Sequence, residues 1–113
     1  MNCKRIFAGA VAVNGHLYVC GGSDGLTGLE SGLNTVERFD PGENRWSMVS
    51  NMTEHRSSAG FVTLQGKIYA LGGRNGRSIF NSVEMLDTVT GVWVETVPML
   101  SKRCGLGAAT LHG

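Results

Sequence analysis

Long apolar runs are absent: the longest, Ile6 to Val13, is far too short to span a bilayer. There are only two prolines, and the glycines follow no three-residue period, which excludes a collagen helix. Charge is scarce and balanced, at 17% of residues and a formal net of +1, while 42% of residues are hydrophobic. That balance excludes a disordered segment and a basic nucleic-acid tail. Three cysteines, at positions 3, 20 and 104, cannot all pair within the chain, and none forms a CxxC. Neither a disulfide framework nor a zinc knuckle is expected, and a reducing, cytoplasmic compartment fits this usage. Glycine, by contrast, is abundant, with 17 in 113 residues, roughly twice the usual share. The length admits one small domain, and the glycine-rich composition suggests β structure.

Self-similarity decides the architecture. Arg5, Gly9 and the run Asn14 to Gly22 align with Arg56, Gly60 and Gln65 to Gly73 at a constant offset of 51. Beyond the double glycine the offset becomes 47: Asn34 to Asp40 match Asn81 to Asp87, Trp46 matches Trp93, and Met52 matches Met99. The four extra residues of the first repeat lie within Leu26 to Leu33, where Gly and Ser mark a loop that tolerates insertion. Lys4 and Arg5 ahead of an apolar run look like a short secretory signal. The same pattern recurs at Arg56 to Leu64 and Arg103 to Leu111, so the segment is structural. Residues 1–4 read as the end of a preceding repeat, 5–51 as repeat one, 52–98 as repeat two and 99–113 as the truncated start of a third. The expected object is a piece of a longer array.

Each repeat accommodates four short strands. Ala8 to Val13 is an unbroken run of small apolar residues, as in a strand covered on both faces. Asn14-Gly15 is a two-residue hairpin turn, because both positions of a type I′ turn need positive φ. Leu17 to Cys20 follows and runs into Gly21-Gly22, then Val36 to Phe39, a turn over residues 40–45, and Trp46 to Val49. In the second repeat Asp87 opens the same turn, and Gly91 stands where Asn44 stood; these residue types suit a left-handed backbone. One four-stranded sheet cannot bury both its faces alone, and radial stacking solves that problem. Tyr18, Tyr69, Trp46 and Trp93 are the expected packing groups between stacked sheets.

The double glycines (Gly21-Gly22, Gly72-Gly73), the strand-two tyrosines, Val36-Glu37 and Val83-Glu84, the Asp-Pro turn and the tryptophans resemble the kelch repeat. This ordered set occurs twice at a spacing near 50 and covers essentially the whole chain. A WD-type propeller fits poorly, since its spacing is nearer 40 to 45 and its Trp-Asp pair is missing. The resemblance implies an all-β, kelch-type partial β-propeller: two four-stranded antiparallel blades plus the first strand of a third. Leu86 for an aromatic, Thr88 for Pro41, and Ser23 and Arg74 after the double glycines depart from the family pattern.

The resemblance also implies that the loop from strand four to the next strand one, and the loop after the double glycine, open on one binding face. Those loops carry Lys4, Arg5, His55, Arg56, Ser57, Lys102 and Arg103, with Ser23, Asp24, Arg74 and Asn75 beside them. Basic pairs recurring in register would place one cationic pair per blade around a mouth suited to an acidic peptide. The competing reading pairs the same arginines structurally with Glu37 and Glu84, which also recur in register.

No enzyme is expected, with no cofactor and no metal: His16, His55 and His112 fall at turns or loops, and no Cys/His cluster has ligand spacing. An oxidase or isomerase is a remote alternative by fold analogy. Cys104, beside Arg103, is a second-rank candidate for a reactive thiol, whereas Cys20 aligns with Leu71 and reads as a core residue. Asn51-Met52-Thr53 is a formal glycosylation sequon, unused in a cytoplasmic setting. By resemblance, the expected function is protein recognition, as the substrate-binding propeller of a BTB-kelch adaptor for a cullin-type ubiquitin ligase, the BTB domain lying outside this sequence. An actin or cytoskeletal scaffold is the alternative; no nucleic-acid or membrane partner is expected. Open flanks of two blades also make self-association an expectation.

Overall fold

The computed structural model describes residues 5, 8–23, 32–75 and 78–101, all of them strand, turn or loop. In chain order the strands are β1 (Gly9–Val13), β2 (His16–Cys20), β3 (Val36–Asp40), β4 (Arg45–Val49), β5 (Gly60–Leu64), β6 (Lys67–Leu71), β7 (Arg74–Asn75), β8 (Ser78–Ile79), β9 (Val83–Asp87) and β10 (Val92–Glu95). They build two four-stranded antiparallel sheets, ordered β1-β2-β3-β4 and β5-β6-β9-β10. The strand order repeats sheet for sheet, as the internal alignment requires. The ribbon β7-β8, set between β6 and β9, was not expected from the sequence.

Turn chemistry sets the register. Asn14 and Gly15 have φ of 51° and 78°, and Gln65 and Gly66 have 51° and 76°, so both β-hairpins use the mirror-image turn that matches strand twist. At the turn into the fourth strand, Asp40 Oδ1 accepts from the amides of Gly42 (2.8 Å) and Glu43 (3.3 Å). Asp87 Oδ1 does the same for Val89 and Thr90. Asn44 and Gly91 then carry the expected left-handed backbone, at φ 52° and 72°.

The core lies between the sheets. Val13, Tyr18, Cys20 and Val36 of the first blade pack against Ile68, Ala70, Leu86 and Trp93 of the second, with Met52 from the crossover between them. Tyr18 and Trp93 thus serve as expected, and Trp93 Nε1 donates to Ser50 O at 3.0 Å. Tyr69 and Trp46 are half-buried and lie outside this core cluster. Trp46 stacks at a tilt on Phe39 of its own blade, ring centres 5.1 Å apart. β1 is also less enclosed than expected: it starts at Gly9, and Ala8, Ala10 and Ala12 are exposed while Val11 and Val13 face the core. Side chains alternate across a strand, and only one face of β1 meets the other blade.

The blades also share backbone hydrogen bonds. Gly22 donates to Arg56 O at 2.7 Å, and Arg56 donates to Leu33 O at 2.8 Å. Gly21 is wedged there at φ 63°, and a Cβ on it would lie 2.4 Å from Arg56 O. Gly15 also has positive φ, but nothing lies within 4 Å of the place a Cβ would take. Gly15→Ala should therefore cost only the left-handed backbone penalty, about 1–2 kcal/mol. Gly21→Ala adds overpacking against a main-chain atom, a further ~1–3 kcal/mol. Urea denaturation should place the Gly21→Ala midpoint clearly below that of Gly15→Ala; equal midpoints would show that the junction yields freely.

Candidate functional site

Two arginines expected at a mouth lie inside the blades instead. Arg56 and Glu84 are both 0% exposed, with Arg56 Nε and Nη2 each 3.0 Å from Glu84 Oε2. Arg56 Nη1 donates to Gly72 O (2.7 Å) and Ser82 O (3.1 Å), Nη2 also donates to Ser82 Oγ, and the guanidinium lies 5.6 Å from the Phe80 ring centre. The Glu84 carboxylate in turn accepts from the amides of Thr53 and Glu54, tying the crossover from the first blade to β9. Arg5 repeats the design: its Nε meets Glu37 Oε2 at 3.1 Å, and Nη1 donates to Gly21 O and Thr35 O. The reading of Arg5 and Arg56 as ligand-gripping cations is thereby corrected. The fork of donors matches carbonyls and a carboxylate within the same blade; Arg5 Nη2 has no acceptor, but the side chain is only 1% exposed and presents no surface to a partner.

Ser23 and Ser57 are likewise buried and present no side chain to a surface. Ser57 exchanges backbone hydrogen bonds with Arg74, at 2.8 Å in each direction. Lys4, Asp24, Lys102, Arg103 and Cys104 lie outside the described residues. The structure does gather three loops at one end of the sheets: the loop after Gly22, the crossover through His55, and the ribbon after Gly73. Gly32 donates to Asn75 Oδ1 at 2.9 Å, and His55 Nδ1 sits 3.3 Å from Gly32 O. His55 and Asn75 are exposed and Arg74 is half-buried. These are the polar side chains of the expected face that remain at a surface among the described residues.

Sequence reasoning passed over two features. The amides of Thr53 and Glu54 act through their main chain, which side-chain types do not reveal. Arg38 was also passed over, although the repeat flags it: its register-equivalent is Met85, a change from cation to apolar side chain.

Cys20 is fully enclosed, as its alignment with Leu71 implies, and burial pushes its thiol up to about 12 despite the opposing charge of Arg5. With the thiol held neutral in the folded chain and freer to ionise when unfolded, its contribution to stability is whole below about pH 9 and is lost as pH rises toward 12. In a Cys3→Ser, Cys104→Ser background, disulfide-exchange labelling of Cys20 at pH 8 should proceed only through unfolding. A labelling rate that ignores added denaturant would refute that enclosure. Removing one partner of a buried ion pair leaves the other charge uncompensated, at about 3–5 kcal/mol. Arg56→Ala should therefore lower stability by that order in a denaturant melt, and Arg56→Lys should rescue little, since an ammonium cannot reproduce the fork. An undiminished midpoint for Arg56→Ala would contradict the structural role.

Comparison with known proteins agrees with this geometry. The Kelch motif family model matches residues 4–53 and 55–100. A kelch repeat and BTB domain-containing protein of Caenorhabditis elegans is 34% identical over 98% of this chain, and human kelch-like protein 33 is 35% identical over 95%. The chain spans about a fifth of the length of each. Among solved structures, a fungal alcohol oxidase superposes with a TM-score of 0.77 over 88% of this chain and 23% of its own, at 23% identity, a likeness of fold alone. With two matched repeats, two sheets of the same strand order and a buried arginine–glutamate pair in each, the chain belongs to the kelch-repeat family and forms two blades of a β-propeller.

Proposed function

We propose that these blades are part of a non-catalytic, intracellular protein-recognition propeller, and that the longer protein carrying them is a substrate-binding adaptor of a cullin-type ubiquitin ligase. The observation that carries the reading is the meeting of three loops at one end of the sheets, with His55 and Asn75 exposed on a frame of strands. Loops fixed by a rigid scaffold are the usual seat of binding. The adaptor assignment is supported by the C. elegans relative, whose name joins kelch repeats to a BTB domain. The partner is a polypeptide segment that hydrogen-bonds to the imidazole of His55 and the amide of Asn75, with Arg74 beside them. With Arg5 and Arg56 enclosed, strong preference for acidic peptides is no longer part of the proposal.

Three measurements test it. Replacing both His55 and Asn75 by Ala should weaken capture of a bound partner by roughly tenfold, with the denaturation midpoint nearly unchanged. Co-purification of a cullin with the longer protein supports the adaptor role. Co-sedimentation of these blades with filamentous actin, without cullin association, would favour a cytoskeletal scaffold and overturn it.

A further inference from the structure

A small cleft opens where the two blades meet. One wall is formed by Arg38 and Tyr18, paired neighbours on β3 and β2, and by Val49 of β4; the opposite wall is Leu86 and the β9–β10 turn at Thr88 and Gly91. Its volume is about 60 Å³, several times the roughly 10–15 Å³ that one water requires. Most polar groups around it are already committed. Ser50 Oγ donates to Gly91 O, Thr88 Oγ1 donates to Gly66 O, and Ser50 O accepts from Trp93 Nε1. Arg38 is different: its Nε is buried, and no described group accepts from it.

The repeat shows that the fold does not require a cation there. In the second blade the same register position, opposite Tyr69, is held by Met85. A guanidinium partly withdrawn from water with an unpaired donor is unfavourable unless an anion completes it. Nε and a neighbouring Nη of arginine present two parallel donors, the spacing a carboxylate accepts. A single positive charge between the aliphatic walls of Val49 and Leu86 suits one negative charge on a short carbon stem better than a dianion. We propose that this inter-blade cleft binds one carboxylate group, held by Arg38 and seated between Val49 and Leu86. Two sources share that chemistry: an aspartate or glutamate side chain of a polypeptide, and a free small carboxylate. The cleft shares no lining residue with the surface of His55 and Asn75 and does not depend on what those residues hold.

The experiment is an amide NMR titration of the full chain with sodium propionate, at ionic strength matched with sodium chloride. Saturable shifts are expected at Ser50, Thr88 and Gly91, and should fall at least tenfold in apparent affinity for Arg38→Met, which installs the residue the second blade uses. Arg38→Gln, neutral but polar, should lose binding equally and serves if the Met variant misfolds. Replacing His55 and Asn75 by Ala should leave the titration unchanged, separating failure here from failure of the loop face. A blocked peptide with one internal aspartate that binds at least tenfold more tightly than propionate identifies a polypeptide side chain; equal binding identifies a free carboxylate. Shifts that never saturate, that persist undiminished in both Arg38 variants, or that map to the loops would overturn the assignment.

Discussion

The contact between Arg56 and Glu84 is the constraint on which the second blade depends. Burying two opposite charges is unfavourable unless each finds its full complement of hydrogen bonds. Here the guanidinium is surrounded by the carboxylate, the carbonyls of Gly72 and Ser82 and the Ser82 hydroxyl, and the carboxylate also receives the amides of Thr53 and Glu54. One pair thus ties together the entry to β5, the double glycine after β6, the start of β9 and the crossover from the preceding blade. The double glycine follows from the same packing: Gly73, at φ 92°, lies where a Cβ would meet Ser57 O and Ala59 at 2.9 Å. The first blade carries a similar staple through Arg5 and Glu37, less fully bonded. Arg5 Nη2 and Thr35 Oγ1 lack the bond that their equivalents Arg56 and Ser82 share.

The second constraint is that a four-stranded sheet has two faces. Where the blades meet, Val13 is 7% exposed and Ile68 is 0%; their register-equivalents on the outer flanks, Leu64 and Leu17, are 37% and 38% exposed. The same side chains are core or surface according to whether a blade lies against them. Aromatic side chains follow this rule, which is why Trp93 is enclosed while Trp46 leans on Phe39 instead. The loops that leave the sheets, and Arg38, where one repeat departs from the other, lie at the margins of this packing.

Much of the architecture was legible because it rests on local rules. Asn14-Gly15, the Asp40 turn and the Asn44/Gly91 equivalence each state a backbone geometry that short-range sterics dictate, and the two offsets joined them into a repeat. The candidate site was less legible. Arg56 and Glu84 are separated by 28 residues, and recurrence in register is what both a ring of ligand-binding cations and a set of internal staples would produce. Lys4, Lys102 and Arg103, which would extend such a ring, lie outside the described residues, as does Asp24. The exposure of His55 and Asn75 likewise has no signature in residue type.

The sequence by itself determined the repeat, the strands, the mirror-image turns and the family, since these follow from spacing and local backbone preference. Only the tertiary structure decided that the recurring arginines face inward, that Tyr18 and Trp93 but not Tyr69 and Trp46 fill the junction, and that Arg38 is left with an unpaired donor. Burial and partnership are properties of surfaces brought together from distant parts of the chain. The same residue in the same register has a different role when the neighbouring blade is present.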